Sequence, residues 1–493
     1  MYRKPILQAA GLGFVTGGVY FGGTVYWVTQ VMIQYGDVPR GAAVLINVAF
    51  AAYLALYVLL FAIIMARLTA VRGANALLVA PFVWVATELG RTYILTGFPW
   101  VLLGYSQSPV LPIAQLASVF GVFGLSALVV SVSAALAFAA VVLSSSGAAQ
   151  PRAVTRSAFT PLVVTLVFVA ITAIWGGLRI RSGELLTSGE AKRVGLLQGN
   201  VLEADRWQSE KAEAAFVRYL DLTRQAVDRG AQFVIWPESA TPYAFGDDLH
   251  ATERMTALAR SLHVPLLIGT DQIVRGSDTE YYNAAVLVRS DGTPGGLYKK
   301  VHLVPFGEYV PARQVFFFMS RIVQAVSDFK PGTTFNVLPV DGHVVSTAIC
   351  YEIIYPNLVR QFTAAGSELL TTITNDSWFG DTSAPYQHFA QASMRAIENG
   401  RFLVRSANTG ISGIVDPYGR VLAQTGLYAP AVVVGDVRLL KGTTIYARTG
   451  DIFAYACTVL TALLLIGAMR SSRMKSSNSE FRILNSEFQA KGP

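Results

Sequence analysis

Three residues with the types needed for acyl chemistry stand at the ends of apolar runs. Glu238 follows Phe233-Val234-Ile235-Trp236-Pro237. Lys300 lies in Tyr298-Lys299-Lys300-Val301-His302-Leu303-Val304-Pro305-Phe306-Gly307-Glu308. Cys350 follows Val344-Val345-Ser346-Thr347-Ala348-Ile349 and precedes Tyr351-Glu352. A thiolate attacks carbonyl carbon, a carboxylate can take the thiol proton, and an ammonium can stabilise the resulting oxyanion. A helix N-terminus or a nearby cation at such a junction can lower the thiol pKa. Taken singly, each residue has a plainer reading: a buried Cys is more often inert core, and a Glu or Lys more often solvated surface. Spacing alone does not bring the three together.

The elements that would position them are short β-rich runs separated by helical stretches. Val194–Gln198, Phe233–Trp236, Pro265–Thr270, Ala284–Val288, Val344–Ile349, Leu369–Thr374 and Phe402–Ser406 read as strands, and Ser209–Arg229 and Leu249–Leu262 as helices. That alternation predicts a layered α/β domain with largely buried sheets. Its polar residues fall where strands end, which is where such folds gather their ligand-binding and catalytic groups.

The remainder is of another kind. The chain has 493 residues, 53% hydrophobic and only 14% charged, with a net charge of +8. Residues 1–178 hold eight basic and two acidic side chains, which leaves 31 basic and 29 acidic for the rest. This rules out disorder, a coiled coil and a single soluble domain. About 20 apolar residues cross a bilayer, and six stretches qualify: 8–33, 42–66, 75–97, 115–145, 158–178 and 452–469. The basic residues cluster at Arg3/Lys4, Arg67/Arg72, Arg152/Arg156 and Arg470/Arg473/Lys475. If the helices alternate, all four clusters fall on one side, and positive charge marks the cytoplasmic side. The expected plan is an N-terminal bundle over 1–180, a domain over 181–450 on the outer face, a last span at 451–470 and a disordered cytoplasmic tail at 471–493. Because the basic excess sits in short loops, it does not describe a nucleic-acid surface.

Smaller features carry smaller expectations. Thr96-Gly97-Phe98-Pro99-Trp100 reads as an outer-face loop, either a lipid entrance or an aromatic anchor. Glu88 and Arg91 can pair on one helix face. Phe316-Phe317-Phe318 reads as a lipid-facing run or a buried loop. Cys350 and Cys457 form no disulfide framework, and the five histidines show no close metal-ligand spacing, so no metal or other cofactor is expected.

The segments around Glu238, Lys300 and Cys350 resemble the Glu–Lys–Cys motifs of the nitrilase, or carbon–nitrogen hydrolase, superfamily. With the membrane region attached, the chain is similar to the apolipoprotein N-acyltransferases. Gln198-Gly199-Asn200 with Trp207, Asn375-Asp376-Ser377-Trp378-Phe379-Gly380, Glu398-Asn399-Gly400-Arg401, Asn408-Thr409-Gly410-Ile411-Ser412 and Leu103-Gly104-Tyr105-Ser106-Gln107 extend the resemblance almost to residue 470. It implies an αββα nitrilase-like sandwich beside an α-helical transmembrane bundle of about six spans. The family usually has eight spans, and the stretch 11–34 resembles its third, so two spans are expected to be missing.

The implied reaction is ping-pong acyl transfer from a phospholipid, typically phosphatidylethanolamine, to the α-amine of an apolipoprotein's S-diacylglyceryl cysteine. By the same resemblance Glu238 is the base, Lys300 the oxyanion cation and Cys350 the nucleophile. Glu308, Tyr351 and Glu352 are supporting residues, and Trp207 and Trp378 lie at the lipid-binding mouth. The enzyme is expected to be a monomer in the bacterial inner membrane, with its catalytic domain periplasmic and both termini cytoplasmic. A membrane-tethered amidase and a catalytically dead scaffold are the competing readings. The span bundle argues against the first and the intact triad against the second.

Overall fold

A computed structural model of the chain describes residues 5–145, 152–202, 208–311, 314 and 329–490. The first apolar stretch is not one helix. It divides into α1 (Ile6–Thr24) and α2 (Trp27–Tyr35). By leaving the line of α1, α2 brings Trp27 and Tyr35 against aromatic partners in the catalytic domain. α3 (Arg40–Arg72) ends at Gly73, whose φ of +60° no helix accommodates. A 3₁₀ turn over Gly73–Val79 leads into α4 (Ala80–Tyr93). Phe61 of α3 and Trp84 of α4 meet with ring centroids 5.2 Å apart. They lie at nearly equal distances on either side of Gly73, so the chain doubles back there. The apolar stretch Arg40–Thr96, 57 residues long, is therefore two passes.

α5 (Ala117–Ser145) and α6 (Arg152–Ser182) follow. The last helix of the chain, Ile452–Ala490, runs past the expected end of the span near 470. The tail expected to be disordered is helical as far as Ala490, and between Met469 and Ala490 there is neither Gly nor Pro to stop it. Among the described residues, five stretches are long and apolar enough to cross a membrane, and the doubled one gives six passes. α1 and α3 pack through small residues: a Cβ on Gly13 or Gly17 would meet Ala62 or Ala55 within 3 Å. α6 leaves Val163, Val164, Val167, Ile171 and Ile174 exposed, an apolar surface suited to lipid and costly in water.

Two six-stranded sheets make up the other domain. The first comprises β1 (Glu190–Gln198), β2 (Phe233–Ile235), β3 (Leu266–Arg275), β4 (Thr279–Val288) and β5 (Pro294–Lys299), with β12 (Ala431–Leu439) beside β1. The second runs β11 (Val421–Gln424), β10 (Gly413–Val415), β9 (Leu403–Ala407), β8 (Leu369–Thr374), β7 (His343–Ile349), β6 (Leu338–Val340). β1–β2–β3 and β7–β8–β9 are parallel, and the remaining pairings are antiparallel. Leu196, Ile235 and Leu267 of one sheet share a core with Val345, Leu370, Leu403 and Ile414 of the other.

The outer face of the first sheet is covered by α7 (Ser209–Asp228) and α8 (Leu249–Leu262), through Phe216, Leu220, Met255 and Leu258. α9 (Pro356–Ala364) and α10 (Ala384–Asn399) cover the second. The result is the αββα sandwich expected from the motifs. Glu238 follows β2, Lys300 follows β5, Cys350 follows β7 and Asn375 follows β8, so the candidate residues share the carboxyl ends of the strands.

The two parts interlock. Gln387 Oε1 accepts hydrogen bonds from Trp100 Nε1 at 2.7 Å and Trp27 Nε1 at 3.2 Å, while its Nε2 donates to the Thr24 carbonyl. Gly121, at φ +66°, breaks α5 where the Tyr446 ring presses on it. The backbone N–H of Val122 just beyond the break donates to Glu398 Oε1 at 2.9 Å, so a carboxylate from the catalytic domain caps a membrane helix.

Candidate active site

Lys300 is the hub of the site and is fully buried. Its Nζ lies 2.9 Å from Glu308 Oε1 and 3.3 Å from Glu238 Oε1. Asn283 Nδ2, from the middle of β4, donates to both same-named oxygens, at 2.7 Å to Glu238 and 2.8 Å to Glu308. The second oxygen of Glu238 accepts from the Asn375 N–H at 2.9 Å, and that of Glu308 from the Val304 N–H at 2.7 Å. Two carboxylates thus flank one ammonium, and each is further held by a backbone donor. Burial pulls the Lys300 pKa down, but the charges of Glu308 and Glu238 outweigh it and raise the value overall. The side chain stays an ammonium.

Cys350 opens a 3₁₀ turn after β7 with φ +51°, a left-handed conformation that costs a non-glycine residue about 1–2 kcal/mol. Burial pushes its thiol pKa up, the Glu238 carboxylate pushes it further, and Lys300 only partly opposes them. The lowered pKa that the junction could have given is not found: desolvation exceeds the pull of the single cation. The resting group is a thiol under the influence of the Glu238 carboxylate.

Glu352 is a clamp. Its Oε1 accepts from Tyr298 Oη (2.8 Å), Val301 N (2.6 Å) and His302 N (3.1 Å), and its Oε2 from Ile349 N (2.8 Å). One carboxylate therefore fixes the Lys300 loop to the strand that delivers Cys350. Tyr351 is buried; its hydroxyl and that of Tyr355 donate to the Gly97 carbonyl at 3.4 and 3.0 Å. The Trp378 ring lies against Tyr35 of α2, with centroids 4.4 Å apart and planes tilted by 48°. Trp207 and Phe316-Phe317-Phe318 lie outside the described residues.

The membrane loop is part of this wall. Arg91 Nη1 donates to the Phe98 and Trp100 carbonyls at 2.8 and 2.7 Å, and Glu88 Oε1 accepts from the Leu103 N–H at 2.8 Å. Both side chains hold the loop that carries Trp100. Trp100 is buried against Trp27, Phe379 and His388, so this side chain is not an exposed anchor.

Comparison with known proteins decides the family. The model of the apolipoprotein N-acyltransferase N-terminal domain matches residues 2–135, and that of carbon-nitrogen hydrolase matches residues 193–444. An apolipoprotein N-acyltransferase from Geobacter metallireducens is 37% identical over 95% of this chain and 88% of its own length. The chain belongs to the apolipoprotein N-acyltransferase family. A relative of the same name from Shewanella oneidensis is 30% identical over 92% of this chain and 85% of its own. An amidase of known structure from Nesterenkonia sp. is similar at 22% identity and a TM-score of 0.41, over 55% of this chain and 97% of that one.

Asn283 and Asn375, which tie the carboxylates down, were not among the residues singled out as candidates. A polar residue inside the apolar run Asn283-Ala284-Ala285-Val286 was the available signal for the first. A buried group formed by Asp376, His388 and Arg405 also stands behind Cys350, and no sequence spacing joins its members.

Proposed function

We propose that Cys350 carries the acyl group as a thioester, with Glu238 as its base and Lys300 as the cation facing the oxyanion. The reaction is that of the family: an acyl chain passes from a lipid donor to the α-amino group of a diacylglyceryl apolipoprotein. Glu238 takes the thiol proton as Sγ attacks the sn-1 ester carbonyl of a phospholipid, phosphatidylethanolamine being the proposed donor. The charge developing on the carbonyl oxygen is met by Lys300, whose position between Glu308 and Glu238 is set before substrate arrives. The C–O bond breaks, and Glu238 returns the proton to the leaving alkoxide, giving a lysophospholipid and an acyl-Cys350 thioester. The apolipoprotein amine then attacks the thioester. Glu238 removes the amine proton, the C–S bond breaks as the amide forms, and Glu238 returns the proton to the leaving Cys350 thiolate.

The observation that carries this reading is the Glu238–Lys300–Glu308 cluster, of which Glu238 and Lys300 act on a strained, buried cysteine. Glu308, Glu352 and Tyr351 hold the geometry, and Trp378 serves the lipid side. The enzyme works as a monomer in the bacterial inner membrane, with the catalytic domain in the periplasm and both termini in the cytoplasm.

The test supplies phospholipid and a diacylated lipopeptide to the purified protein in micelles. The lipopeptide is expected to gain the mass of one acyl chain. Cys350→Ala is expected to lose both that product and the hydroxylamine-sensitive acyl adduct. An adduct that persists in the variant, or ammonia released from small amides in place of lipopeptide acylation, would contradict the reading.

A further inference from the structure

We propose that His388 is a positioning residue for the nucleophile, fixing the Cys350 peptide plane through its carbonyl oxygen. The inference rests on Cys350 being the nucleophile. His388 lies on α10, is wholly buried and takes no part in the transfer steps above. Its Nε2 stands 3.2 Å from the Cys350 carbonyl oxygen, a group that can only accept. Nε2 therefore carries the hydrogen. Nδ1 faces Arg405 Nη2 at 3.0 Å and Asp376 Oδ1 at 3.0 Å. Arg405 Nη2 also reaches Asp376 Oδ2 at 2.6 Å, and Asp376 Oδ1 takes the Thr374 hydroxyl hydrogen at 2.9 Å. Burial and then the Arg405 charge lower the His388 pKa against the pull of Asp376, and Arg405 Nη2 is placed to donate to Nδ1.

A buried ion pair is weak evidence for stability. Here it has a definite second effect, which is to fix one tautomer of one ring. Residues from the loop after β8 and from β9 converge on the α10 ring that holds this single carbonyl. That carbonyl and the Tyr351 N–H belong to one rigid trans peptide and point in opposite directions. Holding the oxygen therefore sets the direction of the backbone donor next to the nucleophile, at a residue whose φ of +51° offers an easier conformation to relax into. The membrane bundle bears on the same ring: Trp100 lies 5.4 Å from His388, tilted by 32°, and donates to the neighbouring Gln387.

The experiment separates the two ring nitrogens in the full-length protein. His388→Gln places an N–H where Nε2 stands. His388→Asn places its amide where Nδ1 stands and leaves the Cys350 carbonyl without its donor. The Gln variant is expected within about threefold of wild type in single-turnover acylation of Cys350. The Asn variant is expected to fall about 10²-fold, as when an oxyanion donor is lost, with KM for phospholipid unchanged. Equal losses in both variants, no loss in either, or a loss confined to KM would overturn the proposal. Nitrogen NMR of histidine-labelled wild type gives an independent readout. A hydrogen on Nε2 of His388 supports the proposal, and one on Nδ1 alone overturns it whatever the variants do. Failure of the nucleophile reading is distinct: it shows as an acyl adduct surviving in Cys350→Ala.

Discussion

Cys350 starts as a thiol, and this has a measurable consequence. Because burial and Glu238 raise its pKa, the thiolate fraction keeps growing as pH rises beyond the range of an ordinary cysteine. The rate of Cys350 alkylation by iodoacetamide is expected to climb steadily to pH 9 and above. A plateau below pH 8 would show a depressed pKa and a standing thiolate instead. The motif segments made the principal residues legible, and Glu238 and Cys350 also sit at the ends of runs that read as strands. Their supports were not legible. Asn283 lies 45 residues from Glu238 and 25 from Glu308, yet one amide nitrogen serves both. Only the folded sheet makes that arrangement. Asn283→Leu removes this donor and leaves two buried carboxylates sharing Lys300. It is expected to cost about 1–3 kcal/mol in stability and to slow acylation more than it raises KM. Wild-type acylation in this variant would show the amide to be idle.

Among the elements, the strands read from sequence were those buried on both faces. Leu369–Thr374 is buried throughout, and its continuous run declares it. β5, with two glycines and a proline, and β11, three of whose four residues are exposed, carry no such pattern. β12 has an apolar run, but its partner is β1, more than 200 residues earlier, and nothing local marks it as the strand that closes the first sheet. In the bundle, composition located the spans but not their bends. Val25 and Gly73 end helices inside apolar stretches, and Gly121 breaks one. At Gly121 the requirement is specific, because φ is +66° and an added Cβ would stand 2.5 Å from the Tyr446 ring. Gly121→Ala is expected to destabilise the protein by about 1–3 kcal/mol, read as a lower melting temperature in detergent. Gly11→Ala, where nothing lies within 4 Å of the new atom, is the control and should melt no lower than wild type. Equal melting of the two variants would remove the break at Gly121 as a constraint.

For the molecule as a whole, the question is why a hydrolase-like sandwich carries a span bundle. An acyl chain drawn into water loses about 0.8 kcal/mol per CH₂, so a site that meets the lipid in place avoids a cost that grows with chain length. The site stands at the membrane loop: Tyr351, next to Cys350, bonds Gly97, and Trp100 packs beside His388. This loop joins two passes at the end opposite the turn at Gly73. The catalytic domain must therefore lie on the side away from Arg67 and Arg72, and under the proposed orientation the end that carries those arginines is the cytoplasmic one. The geometry and the charge rule thus make one joint prediction. In a background with Cys350 and Cys457 replaced, Asp278→Cys on the exposed β3–β4 turn is expected to react with a membrane-impermeant maleimide in intact spheroplasts. Asn75→Cys, exposed beside Gly73, is expected to react only after the membrane is opened. Labelling of both in intact cells would break the link between the loop and the far side of the bilayer. The reverse pattern would keep the geometry and overturn the orientation, placing the acyl-transfer site on the cytoplasmic leaflet.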